Sequence, residues 1–115
     1  MFRHYDKDGT PIEDHEYWAR KLEEPEYKRV AEATLLDGKW VSTVWLGINY
    51  QFGAGPPLIF ETMVFASKEH LDELDIARYS TLAEAQDGHE KMVQLWNNEI
   101  DGYRDSQGHW HQRPN

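Results

Sequence analysis

Residues 29–47 read Arg29-Val30-Ala31-Glu32-Ala33-Thr34-Leu35-Leu36-Asp37-Gly38-Lys39-Trp40-Val41-Ser42-Thr43-Val44-Trp45-Leu46-Gly47, and residues 58–66 read Leu58-Ile59-Phe60-Glu61-Thr62-Met63-Val64-Phe65-Ala66. Three strand-like runs, 30–36, 40–48 and 58–66, are rich in β-branched and aromatic residues. Asp37-Gly38 between the first two is a two-residue hairpin signal, because both residue types tolerate positive φ. That turn pairs Leu36 with Lys39, Leu35 with Trp40, Ala33 with Ser42 and Ala31 with Val44. One face then holds Ala31, Ala33, Leu35, Trp40, Val44 and Leu46, and is expected to face the core. The other holds Val30, Glu32, Thr34, Val41, Thr43 and Trp45. In the third run Leu58, Phe60, Thr62 and Val64 share one side, and Ile59, Glu61, Met63 and Phe65 the other.

Working outward, residues 2–7 read as a short strand ending at the Asp8-Gly9 turn signal. Thr10-Pro11-Ile12-Glu13 has the form of a helix start, with Thr10 as cap, Pro11 at the first helical position and Glu13 closing a capping box. This helix is expected to run to Glu24 and stop before Pro25, with a stripe of Ile12, His15, Trp18, Ala19 and Leu22. Ser67 can cap a short helix over 67–74. Thr81-Leu82-Ala83-Glu84 is a second capping box, opening a helix to Asn97 whose stripe is Leu82, Ala85, His89, Met92, Val93 and Trp96. Gly88 inside it costs up to about 1 kcal/mol relative to alanine, which close contact with the sheet would explain. The polar stretch 100–115 is expected to be a loosely ordered tail. The chain therefore reads as one α+β domain over 1–99. It has a three- to four-stranded antiparallel sheet with helices packed mainly on one face.

The 115 residues include no cysteine, which excludes disulfides, thiolate chemistry and cysteine metal sites. No run approaches the roughly 18 apolar residues of a membrane span, and the first residues show no apolar h-region. A cytoplasmic protein is expected. The formal net charge is −9, against the clustered positive charge that phosphate-backbone binding needs, so direct nucleic-acid binding is not expected. Five tryptophans and six tyrosines supply burial area but also enrich binding surfaces.

Several residues are candidates for a site. Glu32, Thr43, Trp45, Glu61 and Met63 are expected together on the mixed sheet face, where tryptophan, threonine and carboxylate suit a planar ligand or a partner chain. The alternative is that the N-terminal segment covers this face. The Phe52-Gly53-Ala54-Gly55-Pro56-Pro57 loop offers backbone N–H groups to anions through Gly53 and Gly55. It lacks the lysine and following helix of a P-loop, and a stiff connector is the alternative. Arg78 and Tyr79 precede the second capping box. Arg78 is placed either to hold a phosphate or carboxylate, or to pair with Glu61 or Glu84. His89 on an apolar helix stripe reads as a hydrogen-bonded core residue. No serine lies in a nucleophile-elbow context. His109-Trp110-His111 lacks companion ligands for a metal. No cofactor is expected.

These segments together resemble a family of short, largely uncharacterised proteins encoded by bacteriophages and prophages. The resemblance is carried by Arg29-Val30-Ala31, Ser42-Thr43-Val44-Trp45-Leu46-Gly47, the Phe52 to Pro57 loop, Ile59-Phe60-Glu61-Thr62-Met63-Val64-Phe65, Arg78-Tyr79-Ser80-Thr81, and Glu84-Ala85 with Gly88-His89 and Met92-Val93. It spans residues 29–93 and implies a phage or prophage source and an accessory role, without a mechanism. The expectation is a non-enzymatic protein that binds a host protein, with counter-defence as its use. The alternative is a protein that sequesters a small nucleotide signal, with Trp45 stacking and Arg78 complementing charge. An enzyme built on Glu61, His89 and Arg78 is the third reading. A homodimer through a sheet edge or the mixed face is also open.

Overall fold

Two short strands open the chain, β1 (His4–Tyr5) and β2 (Pro11–Ile12), paired antiparallel around the Asp8-Gly9 turn. The structure, a computed structural model, describes residues 4–51, 53–97, 102–104, 107 and 110–112. Helix α1 (His15–Leu22) and the single turn α2 (Pro25–Lys28) follow. The helix expected from Thr10 is thus corrected. Pro11 and Ile12 are drawn into the hairpin, and Asp14 is the N-cap, its carboxylate accepting from the N–H groups of Glu16 at 2.9 Å and Tyr17 at 3.2 Å. Helix α1 stops at Leu22, short of the expected Glu24, and Pro25 serves as the first residue of α2, where its missing N–H costs nothing.

Four strands form the main sheet: β3 (Arg29–Thr34), β4 (Trp40–Trp45), β5 (Phe60–Phe65) and β6 (Glu73–Tyr79), all antiparallel, in the order β3-β4-β5-β6. Strand β6 replaces the short helix expected over 67–74. Ser67 does cap, accepting from the His70 N–H at 2.8 Å, but the motif closes only one turn before the chain extends. Helix α3 (Leu82–Trp96) starts at the expected capping box, with the Thr81 hydroxyl and the Glu84 carboxylate each accepting from the other's backbone N–H at 3.1 Å. Within the stretch expected to be a loose tail, β7 (Gly102–Arg104) pairs with β8 (Trp110–Gln112). His109 lies outside the described residues.

The register of the β3–β4 hairpin differs from expectation by one residue. Thr34 pairs with Trp40, Ala33 with Val41, Glu32 with Ser42 and Ala31 with Thr43. The reason lies in the turn. Only Gly38, at φ +95°, takes positive φ, and no non-glycine residue does, so Asp37 is not in the type I′ geometry a two-residue loop requires. The loop has three residues, Leu36 to Gly38. It is closed by Gly38 N–H donating to the Leu35 carbonyl at 2.9 Å and Leu35 N–H donating to that of Lys39 at 2.8 Å. A one-residue slip turns every β4 side chain to the opposite face.

Two faces follow. The inner rows are Ala33, Val41, Val64, Asp75; then Ala31, Thr43, Thr62, Ala77; then Trp45, Phe60, Tyr79. Val41, Thr43, Trp45, Phe60, Thr62 and Val64 are all fully buried. Helix α3 covers this face with Ala85, His89 and Met92. The N-terminal unit packs at the Trp45–Phe60 end through Tyr5, Ile12, Tyr17, Trp18 and Tyr27. Trp45 Nε1 donates to the Tyr5 carbonyl at 2.9 Å, and Trp18 Nε1 to that of Leu46 at 3.0 Å. The Asp6 carboxylate accepts from the hydroxyls of Tyr17 and Tyr27. Burial, and then the hydrogen bond to Asp6, push the Tyr27 phenol well above its ordinary range.

The buried polar group of this core is a chain of three side chains. The Thr43 and Thr62 hydroxyls, a cross-strand pair, lie 2.5 Å apart, and Thr43 Oγ1 lies 2.7 Å from His89 Nδ1. Burial lowers the His89 pKa from its ordinary 6.5. The unfolded chain therefore takes up this proton first as pH falls, so His89 subtracts stability progressively below pH 6.5. Urea titrations from pH 7.5 to 5 should show stability falling more steeply in the wild type than in His89→Gln. Equal slopes would contradict this placement.

Candidate interaction surface

The outer rows are Thr34, Trp40, Phe65, Glu73; then Glu32, Ser42, Met63, Ile76; then Arg29, Val44, Glu61, Arg78. Every helix contact to the sheet described above lies on the other side. Trp40, Ser42, Val44, Met63 and Phe65 are half-buried. Trp40 and Phe65 are stacked, with centroids 5.4 Å apart and planes at 27°. Lys68 reaches over the Trp40 ring at 5.7 Å and ends 3.8 Å from Glu32, which also meets Arg29 at 3.5 Å. Trp40 Nε1 is shut off from solvent and finds no acceptor among the described residues, a local deficit of the kind native interiors rarely leave.

At the other end of this face Glu61 is 8% exposed. Arg78, its cross-strand partner, donates Nε–H to Oε2 at 3.1 Å, while its guanidinium lies 4.6 Å above the Tyr50 ring. The ion pair satisfies a carboxylate that burial would otherwise penalise, and the Tyr50 ring adds a cation–π contact to the guanidinium.

The five residues expected on one mixed face are divided by the sheet. Glu32, Glu61 and Met63 lie on the outer face. Thr43 and Trp45 are in the core, a correction that follows from the one-residue slip. Trp45 is 0% exposed, with its N–H already bonded, so it is no stacking platform for a ligand. Arg78 takes the structural partner Glu61 and not the start of α3, whose capping box is satisfied internally. Tyr79 faces inward, packed against Gly88. Gly53 and Gly55 are exposed, at φ +88° and +141°. The loop is braced by Asn49, whose side-chain oxygen accepts from Gln51 N–H at 2.7 Å and Leu58 N–H at 3.1 Å. Phe52 lies outside the described residues.

Glu61 and Arg78 sit on one side of the sheet and His89 on the other, so they form no common site. Among the described residues no group of three or more His, Asp or Glu is arranged to hold a metal ion. No described helix is long and apolar enough to cross a membrane. Sequence reasoning set Phe65 beside Glu61 and Met63, where the structure has it, but missed Trp40, Ser42, Val44, Ile76 and Lys68 as components of this surface. The signal that would have found them is β5: its alternating Phe60, Thr62 and Val64 need Trp45, Thr43 and Val41 opposite them, which puts Trp40 and Val44 outside. No family model matches this chain, and no curated protein or solved structure matches it either.

Proposed function

We propose that this chain is a non-enzymatic phage or prophage accessory protein that binds a host protein on the outer face of its sheet, with counter-defence as its use. One observation carries the reading. The helix contacts to the four-stranded sheet described above lie on one side, and the other side presents a stacked Trp40–Phe65 pair, Met63, Val44 and Ile76 inside a charged rim of Glu32, Lys68, Glu73 and Arg78. Aromatic and methionine residues surrounded by polar ones are the composition of protein-binding patches. The resemblance to phage proteins and the acidic charge support the same reading. Nucleotide sequestration is the weaker one, because Trp45, the residue expected to stack on such a ligand, is enclosed, and Arg78 is already paired with Glu61.

Met63→Lys places a charge at the centre of the face, where its stem can lie along the surface. It is expected to change stability by less than about 1 kcal/mol while abolishing capture of the partner from bacterial host lysate. Gln94→Lys, on the exposed side of α3, should retain capture. Equal capture by wild type and Met63→Lys, or no specific partner for any form, would refute the proposal.

A further inference from the structure

The exposed large hydrophobic residues among those described are Leu36 at 83%, Leu71 at 59%, Leu74 at 40% and Ile76 at 37%. Three of the four fall within six residues, along the β5–β6 turn and the start of β6. Leu74 is the extra residue of a bulge, since Val64 pairs with Asp75 but Phe65 with Glu73. Strand β6 is an edge of the sheet, so this apolar strip borders both the open face and an unpaired edge. Interleaved with it are the exposed acids Glu69, Asp72 and Glu73. The one lysine of the turn, Lys68, is drawn away across Trp40 towards Glu32. The strip is therefore apolar and negative, with no ion pair to Glu69, Asp72 or Glu73 among the described residues, on a chain whose net charge is −9.

We infer that the partner presents a cationic amphipathic segment, with apolar side chains seated on Leu71, Leu74 and Ile76 and lysine or arginine meeting Glu69, Asp72 and Glu73. This rests on the docking reading above and names the chemistry of its occupant. Charge complementarity decides between occupants. A second copy of the chain laid on the same strip would oppose its own acids, which costs binding energy, whereas a basic segment is steered towards them. Apolar burial then supplies affinity that charge alone does not.

The test titrates the whole chain with three synthetic 14-residue peptides: an amphipathic Leu/Lys helix, a Lys/Ser peptide of equal charge, and a Leu/Glu helix. The Leu/Lys peptide should bind at least about tenfold tighter than either control, more tightly at low salt, and at least about tenfold weaker to Leu71→Ser/Ile76→Ser. Equal affinity for Leu/Lys and Lys/Ser, or no loss in the double variant, would overturn the inference. So would a dimer by light scattering that the double variant abolishes, since a second copy would then occupy the strip. If Leu/Glu binds best and Met63→Lys removes that binding, the cationic partner is wrong while the docking face stands. If Met63→Lys changes the binding of no peptide and captures the same host proteins, both readings fail.

Discussion

Replacing Trp45 by alanine is expected to destabilise the fold by about 3–5 kcal/mol, the range for deleting a large buried aromatic. The indole is 0% exposed, packs edge-on to Tyr27 at 5.3 Å, and sits in one cluster with Ile12, Ile59, Phe60 and Ala85. Truncation removes that apolar burial and also leaves the Tyr5 carbonyl without its donor. Because Tyr5, Ile12, Trp18 and Tyr27 all converge on this cluster, the loss should loosen the N-terminal unit as well as the sheet. Small domains carry only about 5–15 kcal/mol in total, so the variant should be close to unfolding at 37 °C. Chemical denaturation measures this directly. A change within about 0.5 kcal/mol, as for a surface substitution, would mean that Trp45 is not in the core.

The second large effect is expected at Gly88. In an exposed helix interior, glycine replaced by alanine gains stability of up to about 1 kcal/mol. At this position the sign should reverse, because a Cβ built on Gly88 overlaps the ring of Tyr79, on strand β6. Gly88→Ala should destabilise, and Gly88→Val should cost about 3 kcal/mol, the upper part of the overpacking range. Combining Gly88→Ala with Tyr79→Leu, which removes the obstructing end of the ring, should recover part of the loss. Two separate additive losses would contradict the contact.

Parts of this architecture were legible in the sequence because local chemistry and tertiary context agree there. Thr81 and Glu84 form their capping box whatever surrounds them, and α3 begins where they place it. Gly88 is recognisable from sequence as an anomaly inside a helix, and Glu61 is one of the two carboxylates that the position of Arg78 offers it as a partner. Elsewhere local signals were ambiguous. Asp37-Gly38 suits both a two-residue and a three-residue turn. Pairing with β5 puts Val41 and Thr43 on the buried face with Val64 and Thr62, and only the longer loop sets Ala33 and Ala31 of β3 on that same face. Thr10 and Pro11 form a sound helix start in isolation, but pairing with Tyr5 and capping by Asp14 override it. Ser67 caps one turn, and nothing local to it shows that Ile76 and Tyr79 will extend against β5. The candidate site inherits the register error: a slip of one residue exchanged Trp45 for Trp40 on the open face.

That exchange is also where the account is most exposed to test. The chain has no cysteine, so single cysteines report accessibility without background. Ser42 and Met63 belong to the outer face, and their sequence neighbours Thr43 and Thr62 to the fully buried inner one. Ser42→Cys and Met63→Cys, half-buried on the outer face, should react with a thiol reagent in the native state without any opening of the core, within about tenfold of the rate of the unfolded chain. Thr43→Cys and Thr62→Cys should react at least about 100-fold more slowly, because access requires opening of the core. Rapid labelling at positions 43 and 62, with protection at 42 and 63, would contradict the register, the placement of Trp45 and the open face together.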